Sequence, residues 1–151
     1  MKKTIFDPTL KQQLLARIDK LTPTANRKWG KMNAAQALRH MALGNQMALG
    51  ELLVESKPFG ALKKKLFRLI LLNVPAPKGR AETLLPLNVV NLNIDPTDFE
   101  AERSNLKSYI QKISTATSFA DENSFGGKFS RDDWGRLMYN HTDHHLKQFG
   151  V

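Results

Sequence analysis

The sequence predicts an all-α fold: a four-helix bundle with an extra short basic helix and a long proline-containing crossover. Three observations predict it. Four stretches repeat apolar residues at helical spacing behind recognisable caps. The alternation expected of strands is almost absent. Four of the seven prolines, Pro75, Pro77, Pro86 and Pro96, crowd into residues 73–97 and mark one long irregular connection. With 151 residues, the chain is long enough to bury a core and reads as a single domain over 1–151.

Taken in order, Asp7-Pro8 reads as an N-cap followed by proline at the first helical position. Leu10, Leu14, Arg17, Ile18 and Leu21 follow at helical spacing, and Thr22-Pro23-Thr24 ends the helix. Residues 22–32 form a linker containing Trp29-Gly30. Asn33 and Gln36 make a capping box for a second helix from Ala34 to about Gly50, which carries His40. Residues 51–60 read as a loop. Phe59 to Leu72 is a basic amphipathic helix, with Leu62, Leu66, Leu69 and Ile70 as its apolar stripe and Lys63, Lys64, Lys65 and Arg68 crowding the other side. In the connection at 73–97, Leu87–Ile94 reads as a short extended piece; such a connection is either a lid or a crossover. Asp98 opens a helix to about Ile113, with Phe99, Leu106, Tyr109, Ile110 and Ile113 as core candidates. Residues 114–129 are mostly polar. Ser130 and Asp133 box the start of the last helix, Arg131 to about Phe149.

Composition excludes several classes. No apolar run approaches a membrane span, and Met1 to Pro8 lack the apolar stretch of a signal peptide. The absence of cysteine removes disulfides, cysteine-ligated metals and a cysteine nucleophile, and fits a cytoplasmic protein. The net charge of +9 is uneven: residues 57–80 hold seven cations and no acid. A basic amphipathic helix of this kind suits an anionic membrane or phosphates, so a non-enzymatic binding module is the alternative function. Only Phe59 and Phe67 accompany it, which argues against a nucleic-acid stacking platform. The plainer expectation is that Leu62, Leu66 and Ile70 pack onto the bundle while the cations face solvent. A third reading is a lid that draws anionic substrates inward.

Three of the four histidines, His141, His144 and His145, fall within five residues of the last helix. At ~100° per residue and with His141 as zero, Trp134 lies at ~+20°, Leu137 at ~−40°, Met138 at ~+60° and Phe149 at ~+80°. His145, at ~+40°, shares this apolar face; His144, at ~−60°, sits at its edge, and Asp143, at ~+200°, points away. His141 and His145 are thus two inward imidazoles one turn apart, able to meet at one cation. The bland reading is a pair of core histidines satisfied by polar neighbours. His40 adds a third inward ring, flanked by the small residues Ala37 and Gly44. Three histidines from two helices leave metal positions open, as catalytic sites do. Zinc is the default ion; nickel, iron and manganese also accept imidazole.

Asn140-His141-Thr142-Asp143-His144-His145-Leu146-Lys147-Gln148 resembles the last-helix signature of the DinB-like metal-binding superfamily, in which a His, a second His four residues on and a Gln follow one another. Ala34 to Met41 resembles that superfamily's second helix, which supplies the third ligand. Trp29-Gly30-Lys31-Met32, Pro75 to Gly79, Asp132 to Tyr139 and Gln148 to Val151 look like an uncharacterised branch of it. The resemblance runs from about Asn26 to the end. It implies a DinB-like four-helix bundle holding one divalent metal on His40, His141 and His145, with His144 not a ligand. It also implies a hydrolase or a thiol-dependent S-transferase, an unknown small-molecule substrate or low-molecular-weight thiol, and a homodimer. Any thiolate must come from a cosubstrate. Tyr139, Asn33 and Gln148 are candidate assistants; no general base and no Ser-His-acid arrangement stands out.

Overall fold

The computed structural model describes residues 2–79 and 84–151. Its helices are α1 (Pro8–Lys20), α2 (Ala34–Ala48), α3 (Ala61–Asn73), α4 (Phe99–Thr115) and α5 (Arg131–Gln148). The expected caps form. Asp7 accepts from the backbone of Thr9 and Leu10, and the Asn33–Gln36 and Ser130–Asp133 boxes close reciprocally. Each satisfies backbone donors that a helix start leaves unpaired, worth about 1 kcal/mol.

α1 and α2 each pack against both α4 and α5, which makes a four-helix bundle. Leu14 and Ile18 of α1, Leu38 and Met41 of α2, Leu106, Ile110 and Ile113 of α4, and Trp134, Met138 and Leu146 of α5 fill its centre. Tyr109 is only half-buried; its hydroxyl reaches Glu51 at 3.3 Å. No helix among the described residues is long and apolar enough to cross a membrane.

The N-terminal segment crosses α5 at a glycine. The Ile5 N–H donates to the Gly135 carbonyl at 3.0 Å, and a Cβ on Gly135 would stand 2.2 Å from Phe6 Cε2. Alanine is the better helix former by about 1 kcal/mol. Gly135→Ala is nonetheless expected to destabilise the protein by about 1–3 kcal/mol through overpacking. A denaturation midpoint that stays level or rises would contradict this close approach.

The basic helix departs from expectation in its orientation. Leu62, Leu66, Leu69 and Ile70 face outward, 84%, 55%, 55% and 41% exposed. α3 meets α5 and the following hairpin through its other side, where Leu72 is buried and Leu71 packs on the core. Two of its cations turn inward: Lys64 pairs with Glu122 at 3.5 Å and Arg68 with Asp133 at 2.6 Å. Periodicity locates an apolar face but not its partner. Here carboxylates on later elements settle the orientation. Burial pushes the Asp133 carboxyl up, but hydrogen bonds from Ser130 and Arg68 outweigh it and hold the group below its usual range. Arg136 then donates to the Leu72 carbonyl and to Asn73 at the C-terminal end of α3, both at 2.9 Å.

Two further differences concern the connections. Leu87–Ile94 is not extended: a 3-10 turn at Leu85–Leu87 leads into further turns, and Leu87 and Val89 are buried. Pro86 lacks an N–H and its fixed φ suits the start of such a turn. The polar stretch before α5 contains a small hairpin, β1 (Glu122–Asn123) and β2 (Gly127–Lys128), paired antiparallel. Asn123 Oδ1 accepts from the Phe125 and Gly126 N–H groups at 3.0 Å each, and Gly127 takes φ +66°. These local bonds close the turn without an apolar pattern to announce it.

Candidate metal centre

The crossover and the bundle interior build one site from three elements. α2 presents His40, and α5 presents His141 and His145 one turn apart. One ligand atom from each of the three lies within 4.8 Å of the others. The rings meet edge to face, with centroids 4.7 Å apart for His40 with His141 and with His145, and 4.8 Å for His141 with His145.

Their neighbours assign the ring protons. His40 Nδ1 lies 2.8 Å from the Leu87 carbonyl oxygen and so must donate to it. Gln148 donates its amide NH₂ to the Trp29 carbonyl at 2.7 Å, which turns its oxygen toward His145 Nδ1 at 2.9 Å. His145 Nδ1 is therefore also a donor. Both rings are left with Nε2 as a lone pair. His141 Nε2 stands 2.8 Å from His40 Nε2, and His141 Nδ1 is buried without a partner.

Glycines make the room. A Cβ on Gly44 would press on His141 Cε1 at 3.0 Å, so this residue lets the ring lie against α2. Gly30 takes φ +79°, and a Cβ there would stand 2.4 Å from Gln148 Nε2. Gly30 thus permits the Trp29 carbonyl to hold Gln148.

Burial lowers the pKa of all three rings. For His141 and His145, well below the usual histidine value, the nearby His40 adds to the effect; for His40, the Leu87 carbonyl opposes it without cancelling it. Three neutral rings then share a site with too few donors, since the protons of His40 and His145 are committed elsewhere. One N–H of His141 faces two lone pairs. A cation answers that deficit, and neutral imidazole is the form that ligates. The three histidines could hold a metal ion.

The family described as "Protein of unknown function (DUF1569)" matches residues 6–150. The chain belongs to this family. The DUF1569 match spans all five helices and all three histidines of the cluster. No curated protein and no solved structure matches the chain.

The remaining residues of interest in this DUF1569 chain fall outside the cluster. His144 is half-buried beside Trp29, ring centroids 5.8 Å apart, and contributes no atom to it. Asp143 is occupied by Arg17 and Lys147, each at 2.7 Å, and ties α5 to α1. Asn33 is used by the α2 cap and by Asp95 at 3.1 Å. Tyr139 is buried, with Lys3 over its ring at 5.9 Å. Among the described residues, Gln148 is the one candidate assistant that hydrogen-bonds to a histidine. The Leu87 and Trp29 carbonyls had no signal in the sequence, because a backbone group has no side-chain signature; Gly30 was the one visible hint.

Proposed function

We propose that this protein is a DinB-like, single-domain, divalent-metal-dependent enzyme. One ion, zinc by default, is held by His40, His141 and His145, and the chemistry is of hydrolase or thiol-dependent transferase type. The observation that carries the reading is the convergence of three neutral imidazoles, two of which, His40 and His145, have their second nitrogens already held by Leu87 and Gln148. An ion there supplies Lewis acidity, which lowers the pKa of a water or of a thiol. The chain contributes positioning. Leu87 and Gln148 fix two ring tautomers, and Trp29 fixes Gln148. With no cysteine in the chain, a thiol would be a cosubstrate.

Elemental analysis of protein purified without an affinity tag is the test. About one equivalent of a divalent ion is expected. Protein that carries no ion and takes up none on titration with zinc, nickel, iron or manganese refutes the reading. A companion result is expected from Gln148→Leu: the fold persists, while metal affinity drops by about 10–100-fold in competition with a chromophoric chelator, because His145 loses its orienting acceptor. Unchanged affinity would remove Gln148 from the site.

A further inference from the structure

We propose that α3 is a docking element for an anionic lipid surface, seated through Leu62, Leu66, Leu69 and Ile70. The inference stands independently of the metal centre. With Ala61 as zero and ~100° per residue, these four side chains lie between ~80° and ~180°, with Lys65 at ~40° and Lys63 at ~200° on the two edges. The inward side, Lys64, Arg68 and Leu72, is already engaged by Glu122, Asp133 and the core. The outward side has no partner within the described residues, and Val74, 55% exposed, follows it. A contiguous exposed apolar ridge on a basic helix marks an interaction surface.

Charge identifies the occupant. Residues 57–79 contain no carboxylate, and among the described residues neither Lys63 nor Lys65 has an ion-pair partner. Lys63 rests over the Phe59 ring at 3.8 Å. A second copy docking through the same face would set these lysines against their own counterparts. A nucleic acid would bring phosphates against leucines, because the outermost ridge is apolar and the cations only edge it. An anionic bilayer offers hydrocarbon below and negative headgroups at the level of the lysines. A helix of 13 residues lying in that plane is ~20 Å long. Its hydrophobic partner need have no fixed shape, which suits a ridge without a matching groove.

Flotation of the full chain with vesicles tests the proposal. Binding is expected to phosphatidylglycerol–phosphatidylcholine vesicles at low salt, to weaken as salt rises, and to be absent with phosphatidylcholine alone. The double variant Leu66→Ser/Leu69→Ser changes side chains already in solvent, so its thermal melt should match the parent while vesicle partitioning falls at least about tenfold. Lys63→Glu/Lys65→Glu should lower partitioning similarly. No flotation with the anionic vesicles overturns the proposal, as does binding that the leucine variant leaves unchanged. A dimer in size-exclusion chromatography that the leucine variant disperses assigns the face to a second copy instead. Duplex DNA binding lost only in the lysine variant assigns it to nucleic acid.

Discussion

Substituting His141 by alanine is expected to abolish bound metal, with affinity falling by more than about 100-fold, whereas His144→Ala leaves about one equivalent in place. The two residues sit three apart on one helix and are both half-buried, so general disturbance of α5 would affect them alike. Only His141 contributes an atom to the cluster. His40→Ala should match His141→Ala in metal content but cost more stability. It also removes the His40 bond to the Leu87 carbonyl, about 1 kcal/mol, although that carbonyl still accepts from the Val89 N–H at 3.1 Å. Elemental analysis and urea denaturation of the three variants, side by side, read both effects. Undiminished metal in His141→Ala refutes the ligand assignment.

The second large effect is on pH. In the metal-free protein, His40, His141 and His145 all have pKa values below the ordinary 6.5 because of burial. The unfolded chain takes up protons near 6.5 while the folded one still refuses them. Between the folded values and 6.5 the unfolded state therefore binds more protons, and stability falls as the solution is acidified. Above about pH 7.5 the dependence should be flat. Burial lowers His144 as well. Each histidine contributes a limiting slope of about 1.4 kcal/mol per pH unit, so the four together approach about 5 at the acid side of the window. Asp133 and Asp143, both held below 3.8, add their loss only at lower pH. Urea midpoints measured from about pH 8 to about pH 5 check this. A level profile would mean that the rings are not buried and neutral. Zinc should shift the descent to lower pH, since an ion and a proton compete for the same lone pairs.

The site was more legible than the scaffold that supports it. The phase of His141 and His145 on an amphipathic helix, together with one inward histidine on an Ala-rich helix, already pointed the three rings to one place. Capping pairs located most helix starts to within a residue, because a cap is a local bond between neighbours in the chain. What depends on contacts distant in sequence was not legible. The orientation of α3 hangs on Glu122 and Asp133, some 60 residues away, and an amphipathic pattern alone suggested the opposite side. The hairpin before α5 rests on one asparagine side chain and two glycines, too little for periodicity. The acceptor for His40 is the Leu87 backbone carbonyl, in a turn where the sequence suggests an extended piece, whereas Gln148, the acceptor for His145, lies three residues along the same helix and is among the candidate assistants.

If an ion binds at the histidines, the Leu87 bond to His40 would couple the crossover to it. By reciprocity, whatever factor an ion at the histidines adds to the docking of the Leu85–Leu87 turn on α2, the docked turn returns to the affinity for the ion. A ligand that peels the turn away would thus loosen the ion's hold, and chelation would make the turn easier to peel. Protease nicking of the crossover, followed with and without chelator, would report the ion's presence from outside the bundle.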